Sequence, residues 1–355
     1  MKSPSRLTNI YEDLELNRID ALFVSSAANI SYLTEFQSRD SYLLISKKKT
    51  VYFTDSRYTL EAKQKLNNRF EICQISAKAI STIAGVCNKM NLKKIGIEEK
   101  NLNVALFNSY KKELRGKTRL IPVRNLIESH REIKDENELK NIRKATNITL
   151  KAFNFIKNFI KPGRKELEIA AELERFIRYE GASNSSFDII VASGPNSSFP
   201  HHISSQRKIR ENEPVLIDMG VDFKGYKSDL TRVFFSGKML PLQRKIYETV
   251  EAAQKAAILK IKPGIPAKEI DATARQYITE KGFGGNFSHS TGHGIGLEIH
   301  EEPNISPNNA SLLHEGMVFT VEPGIYLAGK FGIRIEDTII INNRKVEVIS
   351  SGSIN

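Results

Sequence analysis

The chain has 355 residues, of which 40% are hydrophobic, so it can bury a sizeable core in more than one domain. The two cysteines, Cys73 and Cys87, stand far from any metal-binding spacing, which favours a reducing cytoplasm. Residues 1–20 lack the apolar run of a signal peptide, and no stretch approaches the roughly 18 apolar residues of a membrane span. The sequence therefore predicts a soluble cytoplasmic protein with no membrane partner.

The net charge of +12 raises the question of nucleic acid binding. The positive residues are dispersed, however, and the densest group, Lys47-Lys48-Lys49, stands between two strand-like runs, as in a hairpin turn. No zinc-finger or aromatic RNA-binding signature accompanies it. We predict a solvated basic surface and no nucleic acid partner, with a weak polyanion patch as the alternative.

Residues 1–128 are predicted to form a small α/β domain. Strand-like runs alternate with helical segments along this part of the chain. The strands are expected at 22–26, 41–46, 50–55, 71–76 and 93–99, and the helices within 7–23 and at 57–66 and 78–90. A short link over 124–129 ends the domain.

Residues 129–355 are predicted to form a second domain with an internal repeat. Four helices are expected at 135–161, 165–179, 241–261 and 267–280. The sequence Lys-Pro-Gly separates the members of each pair, at 161–163 and again at 262–264. Strands with histidine and acidic residues follow each pair, which suggests two pseudo-symmetric halves that share one floor.

Five potential metal ligands lie in the C-terminal third of the chain. Asp218 ends an apolar strand, and Asp229 begins another strand eleven residues later, so a hairpin brings the two carboxylates together. His293 stands among three glycines, which indicates close backbone approach. A phosphate-binding loop is the competing interpretation of that stretch, but it lacks the preceding strand and the Lys-Ser/Thr of a P-loop.

Glu322 and Glu336 complete this set. Glu322 ends the apolar run 317–321, where a buried acid is costly unless it is paired or bound to a cation. Glu336 is expected within a strand, on the same face as Arg334, and a surface salt bridge between these two residues is the alternative interpretation. Four carboxylates and one imidazole can hold two divalent ions, which makes hydrolysis the leading hypothesis.

Three histidines are further candidates for the site. His201, His289 and His300 fall in the same stretch as the acidic set. A lone histidine is more often a satisfied polar residue, but imidazoles near a metal centre can donate protons and stabilise an oxyanion.

Together with the short motifs around them, the five ligands resemble those of the pita-bread metallopeptidases, which include methionine aminopeptidases, aminopeptidase P and prolidase. VASGPNSSFPHH, STGHGIGLEIHEEP, VEPGIY and GIRIEDT look most like bacterial Xaa-Pro peptidases, as does FTDSRY at 53–58. The resemblance implies an α/β (α+β) fold, with a creatinase-like N-terminal domain (1–128) before a pseudo-symmetric pita-bread catalytic domain (129–355). Family members usually form homodimers.

The resemblance also implies a role for each residue. Two divalent ions, Mn²⁺ or else Co²⁺ or Zn²⁺, would be bridged by Asp229 and Glu336 and would activate a water. Asp218 would complete one ligand shell, and His293 and Glu322 the other. The implied catalytic residues are His201, His300 and Glu322, and the implied substrate-binding residues are His201, His289, His300 and Arg334.

The resemblance further implies the substrate, a peptide with proline in the second position. Proline lacks an N–H and has a fixed φ, so general peptidases handle it poorly. Prolidases often carry an arginine where this chain has Asn304, so an Xaa-Pro aminopeptidase is predicted, with an Xaa-Pro dipeptidase (prolidase) as the alternative. A methionine aminopeptidase and a non-catalytic peptide-binding protein of the same fold rank lower.

Overall fold

A computed structural model describes residues 6–37, 39–66, 69–114, 118–342 and 345–351. The chain divides into two compact units, Met1–Arg131 and Glu132–Asn355. Within the described ranges, no helix is both long and apolar enough to cross a membrane.

The first unit is built on a six-stranded mixed sheet with the order β4-β3-β2-β1-β5-β6. Its strands are β1 (Ala21–Val24), β2 (Ser41–Ser46), β3 (Thr50–Thr54), β4 (Glu71–Gln74), β5 (Lys94–Glu98) and β6 (Arg119–Val123). Its helices are α1 (Arg6–Leu16), α2 (Ala27–Thr34), α3 (Thr59–Lys65), α4 (Ala79–Lys89), α5 (Val104–Glu113) and α6 (Glu128–Arg131). The predicted hairpin turn is confirmed, because the backbone N–H groups of Ser46 and Lys49 each donate to the other residue's carbonyl.

The first half of the second unit packs two helices against two small sheets. The helices are α7 (Glu136–Ile156) and α8 (Glu166–Tyr179). Helix α7 begins with a capping box at Asp135. The Asp135 carboxylate accepts from the Glu138 N–H, and the Glu138 carboxylate accepts from the Asp135 N–H. The strands are β7 (Asn184–Ser185), β8 (Ile190–Ser193), β9 (Pro214–Met219), β10 (Val221–Phe223), β11 (Tyr226–Lys227) and β12 (Leu230–Phe235), in the orders β11-β10-β7 and β12-β9-β8.

The second half repeats this arrangement with α9 (Pro241–Lys260) and α10 (Ala267–Glu280). Its strands are β13 (Gly292–Gly294), β14 (Glu301–Ile305), β15 (Val318–Val321), β16 (Gly324–Leu327), β17 (Phe331–Arg334), β18 (Asp337–Asn342) and β19 (Lys345–Val348). They form one sheet of order β14-β13-β15-β18-β19 and a hairpin of β16 and β17.

The two Lys-Pro-Gly sequences occupy equivalent places in the two halves. Gly163 and Gly264 both have positive φ, of 89° and 80°. The Gly163 N–H donates to the carbonyl of Ile209, and the Gly264 N–H donates to that of Leu313. Each glycine therefore lies between the two helices of its pair and ties the start of the second helix to a later segment of its own half. The predicted internal repeat is confirmed at the level of backbone hydrogen bonds.

Candidate metal centre

The two aspartates are brought together by the antiparallel pairing of β9 and β12. Thr231 lies opposite Asp218 in this register, so Asp229 stands two residues before the residue that faces Asp218. At Gly220 a Cβ atom would lie 1.7 Å from the Ser228 carbonyl oxygen, so the two strands approach too closely there for any side chain. The antiparallel pairing of β9 and β12 confirms the predicted hairpin.

His293 and Glu322 lie on the other half of the unit, on β13 and at the end of β15. A Cβ atom at Gly292 would lie 1.9 Å from the Thr320 carbonyl oxygen, which shows how closely β13 approaches β15. The Thr320 hydroxyl accepts from the His293 N–H at 3.1 Å and donates to Glu322 Oε1 at 3.0 Å. One threonine therefore orients both ligands.

Glu336 does not lie within a strand, and the prediction of a continuous strand through Arg334 and Glu336 is wrong. Strand β17 ends at Arg334 and β18 begins at Asp337, in a different sheet. The Glu336 N–H donates to the Thr231 carbonyl, and the Arg232 guanidinium donates to the Glu336 carbonyl. These long-range bonds to β12 bend the chain between the two sheets and turn Glu336 inward, where it is buried.

The candidate ligand atoms converge on a small volume. His293 Nε2 lies 3.5 Å from Asp229 Oδ2 and 3.3 Å from Glu322 Oε1. Atoms of Asp229, His293 and Glu336 lie within 4.8 Å of one another, close enough to share one ion. The Nδ1 atom of His293 lies 3.1 Å from the Gly294 carbonyl and so carries the proton, which leaves Nε2 free as a ligand.

The polar atoms of this cluster fit a cation. Among the described residues, Asp218, Asp229 and Glu336 each have one buried carboxylate oxygen without a hydrogen-bond partner. An unpaired buried oxygen of this kind is costly in a protein interior, and three in one place are best satisfied by a positive ion. Oxygen ligands with one imidazole suit a divalent ion such as Mn²⁺.

Crowded negative charge raises the pKa values of the cluster in the metal-free protein. Burial, followed by the charges of Asp218 and Glu322, raises the pKa of Asp229 well above its ordinary value. Burial and the charges of Asp229 and Glu322 do the same to the pKa of Glu336. Burial is also the main cause of the raised pKa of Glu322. A divalent ion would reverse this effect by favouring the ionised forms.

These shifts predict how the stability of the metal-free protein depends on pH. An acid with a raised pKa in the folded state holds its proton there after the unfolded chain has lost it, so the free energy of unfolding falls as pH rises above about 4. We expect the melting midpoint in EDTA to fall more steeply from pH 5 to pH 8 for the wild type than for Asp229→Asn. Each 1 kcal/mol of difference corresponds to about 2–4 °C. Equal slopes in thermal scans of the two proteins would contradict this prediction.

A buried arginine links Asp218 of the carboxylate cluster to Tyr326 and, through Tyr326, to His289. Arg334 donates from Nη2 to Asp218 Oδ2 at 2.5 Å and from Nη1 to the Tyr326 hydroxyl at 2.7 Å. His289 Nδ1 lies 2.8 Å from the Ser290 carbonyl and carries the proton, so Nε2 accepts from Tyr326 at 2.9 Å. Burial, and then the charge of Arg334, lowers the pKa of His289 to about 4, which keeps this ring neutral.

Tyr326 is a site residue that the sequence reasoning missed. It lies within VEPGIY, a motif in which Glu322 is the one predicted site residue. Arg334 also donates to the hydroxyl of Thr231, which in turn donates to Glu336 Oε2 at 2.8 Å. The alternative of a surface salt bridge between Arg334 and Glu336 is therefore wrong, because both side chains are buried and Arg334 pairs with Asp218.

His201 and His300 are exposed, in contrast to Asp229 and Glu336, which are buried. The rings of His300 and His293 meet edge to face, with 4.3 Å between centroids. Desolvation, and then the charges of His293 and His201, lowers the pKa of His300, so this imidazole is neutral at pH 7. The structure thus gathers the predicted ligands and places His300 directly beside one of them.

Comparison with known proteins identifies the family. Residues 140–343 match metallopeptidase family M24, and residues 6–133 match the creatinase/prolidase N-terminal domain. An Xaa-Pro dipeptidase from Pyrococcus horikoshii is 38% identical over 338 residues, which are 95% of this chain and 94% of that protein. The chain belongs to metallopeptidase family M24 and has its pita-bread fold.

Two solved structures resemble this protein over almost its whole length. An Xaa-Pro dipeptidase from Bacillus anthracis is 38% identical, with a TM-score of 0.94 and coverage of 98% of this chain and 97% of that one. An X-Pro aminopeptidase from Thermotoga maritima is 36% identical, with a TM-score of 0.89 and coverage of 99% of both chains. Both structures support the predicted order of a creatinase-like domain followed by a pita-bread domain.

Proposed function

We propose that this protein is an Xaa-Pro dipeptidase. The observation that carries the proposal is the carboxylate and histidine cluster with three unpaired buried oxygens, in a chain similar over nearly its whole length to proteins named Xaa-Pro dipeptidases. The dipeptidase was the alternative in the sequence analysis. Similar proteins with that name now favour it over the aminopeptidase.

In this proposal Asp218, Asp229, His293, Glu322 and Glu336 hold two divalent ions. Such ions supply an activated water at neutral pH and polarise the scissile carbonyl. Asp229 and Glu336 are both buried and have raised pKa values without metal, so a divalent ion held by their carboxylates would stabilise the ionised forms. We further propose that the two ions are Mn²⁺ and that the protein is a cytoplasmic homodimer. No nucleic acid partner is proposed.

The chain's own residues would orient the substrate and move protons. Glu322, held by Thr320, is the proposed proton carrier at its carboxylate. Neutral His300 would donate a hydrogen bond to the oxygen on which negative charge develops. Exposed His201 and neutral His289 would line the substrate side, and Arg334 would hold Asp218 in place. Proline suits such a site, because it presents no N–H to be satisfied.

An Xaa-Pro aminopeptidase is the second candidate. Asn304 stands where prolidases often have an arginine for the carboxylate of the dipeptide, and its side chain is exposed on β14. One similar structure is that of an X-Pro aminopeptidase. A longer peptide has no carboxylate at this position, so an uncharged residue would suit it.

The test is hydrolysis of Ala-Pro and of Arg-Pro-Pro-Gly-Phe by purified full-length protein, with added Mn²⁺ and with EDTA. We expect metal-dependent cleavage of Ala-Pro, and Ala-Ala serves as the control that lacks proline. Release of arginine from the longer peptide, with Ala-Pro left intact, would assign the aminopeptidase instead. A metal-loaded protein that cleaves neither peptide would contradict both activities.

A further inference from the structure

One buried acid of the second unit lies outside the metal centre. Glu166, the first residue of α8, is fully buried. Its Oε1 accepts from the N–H and the hydroxyl of Ser193, both at 2.7 Å, and from the Asn196 amide at 3.0 Å. Its Oε2 accepts from the Ser205 hydroxyl at 2.6 Å, from the Ser205 N–H at 3.1 Å and from His202 Nε2 at 3.0 Å.

These bonds keep Glu166 ionised. Burial favours the protonated form, but the hydrogen bonds from Ser205, His202 and Ser193 outweigh it, and the pKa of Glu166 is lowered. Charge-assisted hydrogen bonds of this kind are about twice as strong as neutral ones. Glu166 therefore holds the segments that donate to it in fixed positions.

Glu166 holds the two ends of one loop, which we term the His201 loop (residues 194–204), and also binds Asn196 and His202 within it. Ser193 ends β8 immediately before this loop, and Ser205 follows it. The middle of the loop presents His201 between Phe199 and Ile203, with 61% and 87% of these two apolar side chains exposed. One carboxylate thus closes the base of the loop, while its middle stays open to solvent.

The His201 loop is tied to the metal centre at its other side. The Gly332 N–H donates to the Ser197 hydroxyl at 2.9 Å, and a Cβ atom at Gly332 would lie 2.1 Å from the Ser197 carbonyl oxygen. Arg334, which binds Asp218, also donates to the Pro200 carbonyl at 3.3 Å. His201 follows Pro200 directly. The position of its imidazole therefore depends on the bonds to Glu166 and on the contacts with Gly332 and Arg334.

We propose that Glu166 is the positioning residue for His201. Its carboxylate closes the base of the His201 loop, and through that closure it sets where the His201 imidazole stands beside the substrate. This inference rests on the proposed function for its kinetic test, because His201 acts only when a peptide is bound. Its geometric basis, the six donors on one buried carboxylate, is independent of that function.

The second half of the unit supplies a matched control. Asp271 on α10 is also buried, and its Oδ1 accepts from the N–H and the hydroxyl of Thr291 at 3.1 and 2.9 Å. It also binds Arg275, which donates to the His289 carbonyl at 2.9 Å. Asp271 therefore supports the segment around His289, and not the His201 loop.

The test is a double-mutant cycle with Glu166→Gln and His201→Ala, read out as kcat/KM for Ala-Pro. Glutamine keeps the shape of Glu166 but cannot accept from all six donors. We expect Glu166→Gln to lower kcat/KM by about 10–100-fold with unchanged metal content. In the His201→Ala background, Glu166→Gln should lower kcat/KM by less than about twofold, because the imidazole that Glu166 positions is already absent. Asp271→Asn should cost the same factor in both backgrounds.

An equal loss from Glu166→Gln in both backgrounds would overturn the proposal and leave Glu166 a purely structural role. If Glu166→Gln fails to fold, Ser205→Ala, which removes one donor only, replaces it in the same cycle. A wild type that cleaves no peptide refutes the proposed function instead. In that case the chemical shift of the His201 ring protons, assigned by comparison with the NMR spectrum of His201→Ala, tests the proposal. This chemical shift should change in Glu166→Gln and not in Asp271→Asn. An unchanged chemical shift in Glu166→Gln would overturn the proposal.

Discussion

Replacement of Asp229 by asparagine is expected to abolish metal binding and peptide hydrolysis together and to make the metal-free protein more stable. The carboxylate is buried among Asp218 and Glu322, so its charge is unfavourable without an ion and essential with one. Loss of several kcal/mol of metal-dependent transition-state stabilisation corresponds to a decrease of roughly 10³-fold in kcat/KM. Glu336→Gln should behave in the same way, since burial and then the charges of Asp229 and Glu322 raise the pKa of Glu336.

Metal content per chain, kcat/KM for Ala-Pro and the melting midpoint in EDTA check this prediction. Asp222→Asn is the matched control, because Asp222 lies on β10 of the same hairpin but binds Lys227 and the Gly225 N–H. It should keep both metal and activity. Full turnover by Asp229→Asn would refute a two-ion site that uses this residue.

Replacement of His300 by alanine is expected to leave the metal in place and to lower kcat by about 10²-fold, the typical cost of a lost oxyanion donor. The His300 ring packs edge to face on His293 but takes no part in the carboxylate cluster. Since a hydrogen bond to developing negative charge acts in the transition state, KM should change little.

His314→Ala is the control for this variant. His314 is an exposed histidine in the segment before β15, and its replacement should leave kcat unchanged. A rise in KM for His300→Ala, with kcat unaltered, would assign His300 to ground-state binding instead of catalysis.

Much of the fold is readable from the sequence, because its signals are local. Of the four helices of the second unit, α7 begins after the capping residue Asp135, and α8 and α10 each end shortly before a glycine. Helices α8, α9 and α10 match their predicted bounds closely, whereas α7 ends at Ile156 and not at 161. Helix α6 begins where a link is predicted, and the two longer helices α2 and α5 were not predicted either. Both are short and only weakly amphipathic, and their clearest local signals are the single capping residues Ser26 and Asn103.

The candidate ligands could also be found in the sequence, since five metal-binding residues occur in order within short motifs that resemble those of one family. Their arrangement could not. The inward turn of Glu336 depends on hydrogen bonds to β12, which lies about a hundred residues earlier in the chain. Periodicity within one strand carries no information about such a crossing between two sheets.

The sequence by itself therefore determined the class of chemistry, because the identity and order of five ligand residues limit which ions and which reactions are possible. Only the tertiary structure decided which side chains support them: Arg334 on Asp218, Tyr326 on His289, and Glu166 at the base of the His201 loop. A buried polar group must be satisfied by whatever donors the fold brings near it. Those partners come from distant segments, so they become visible only when the chain is folded.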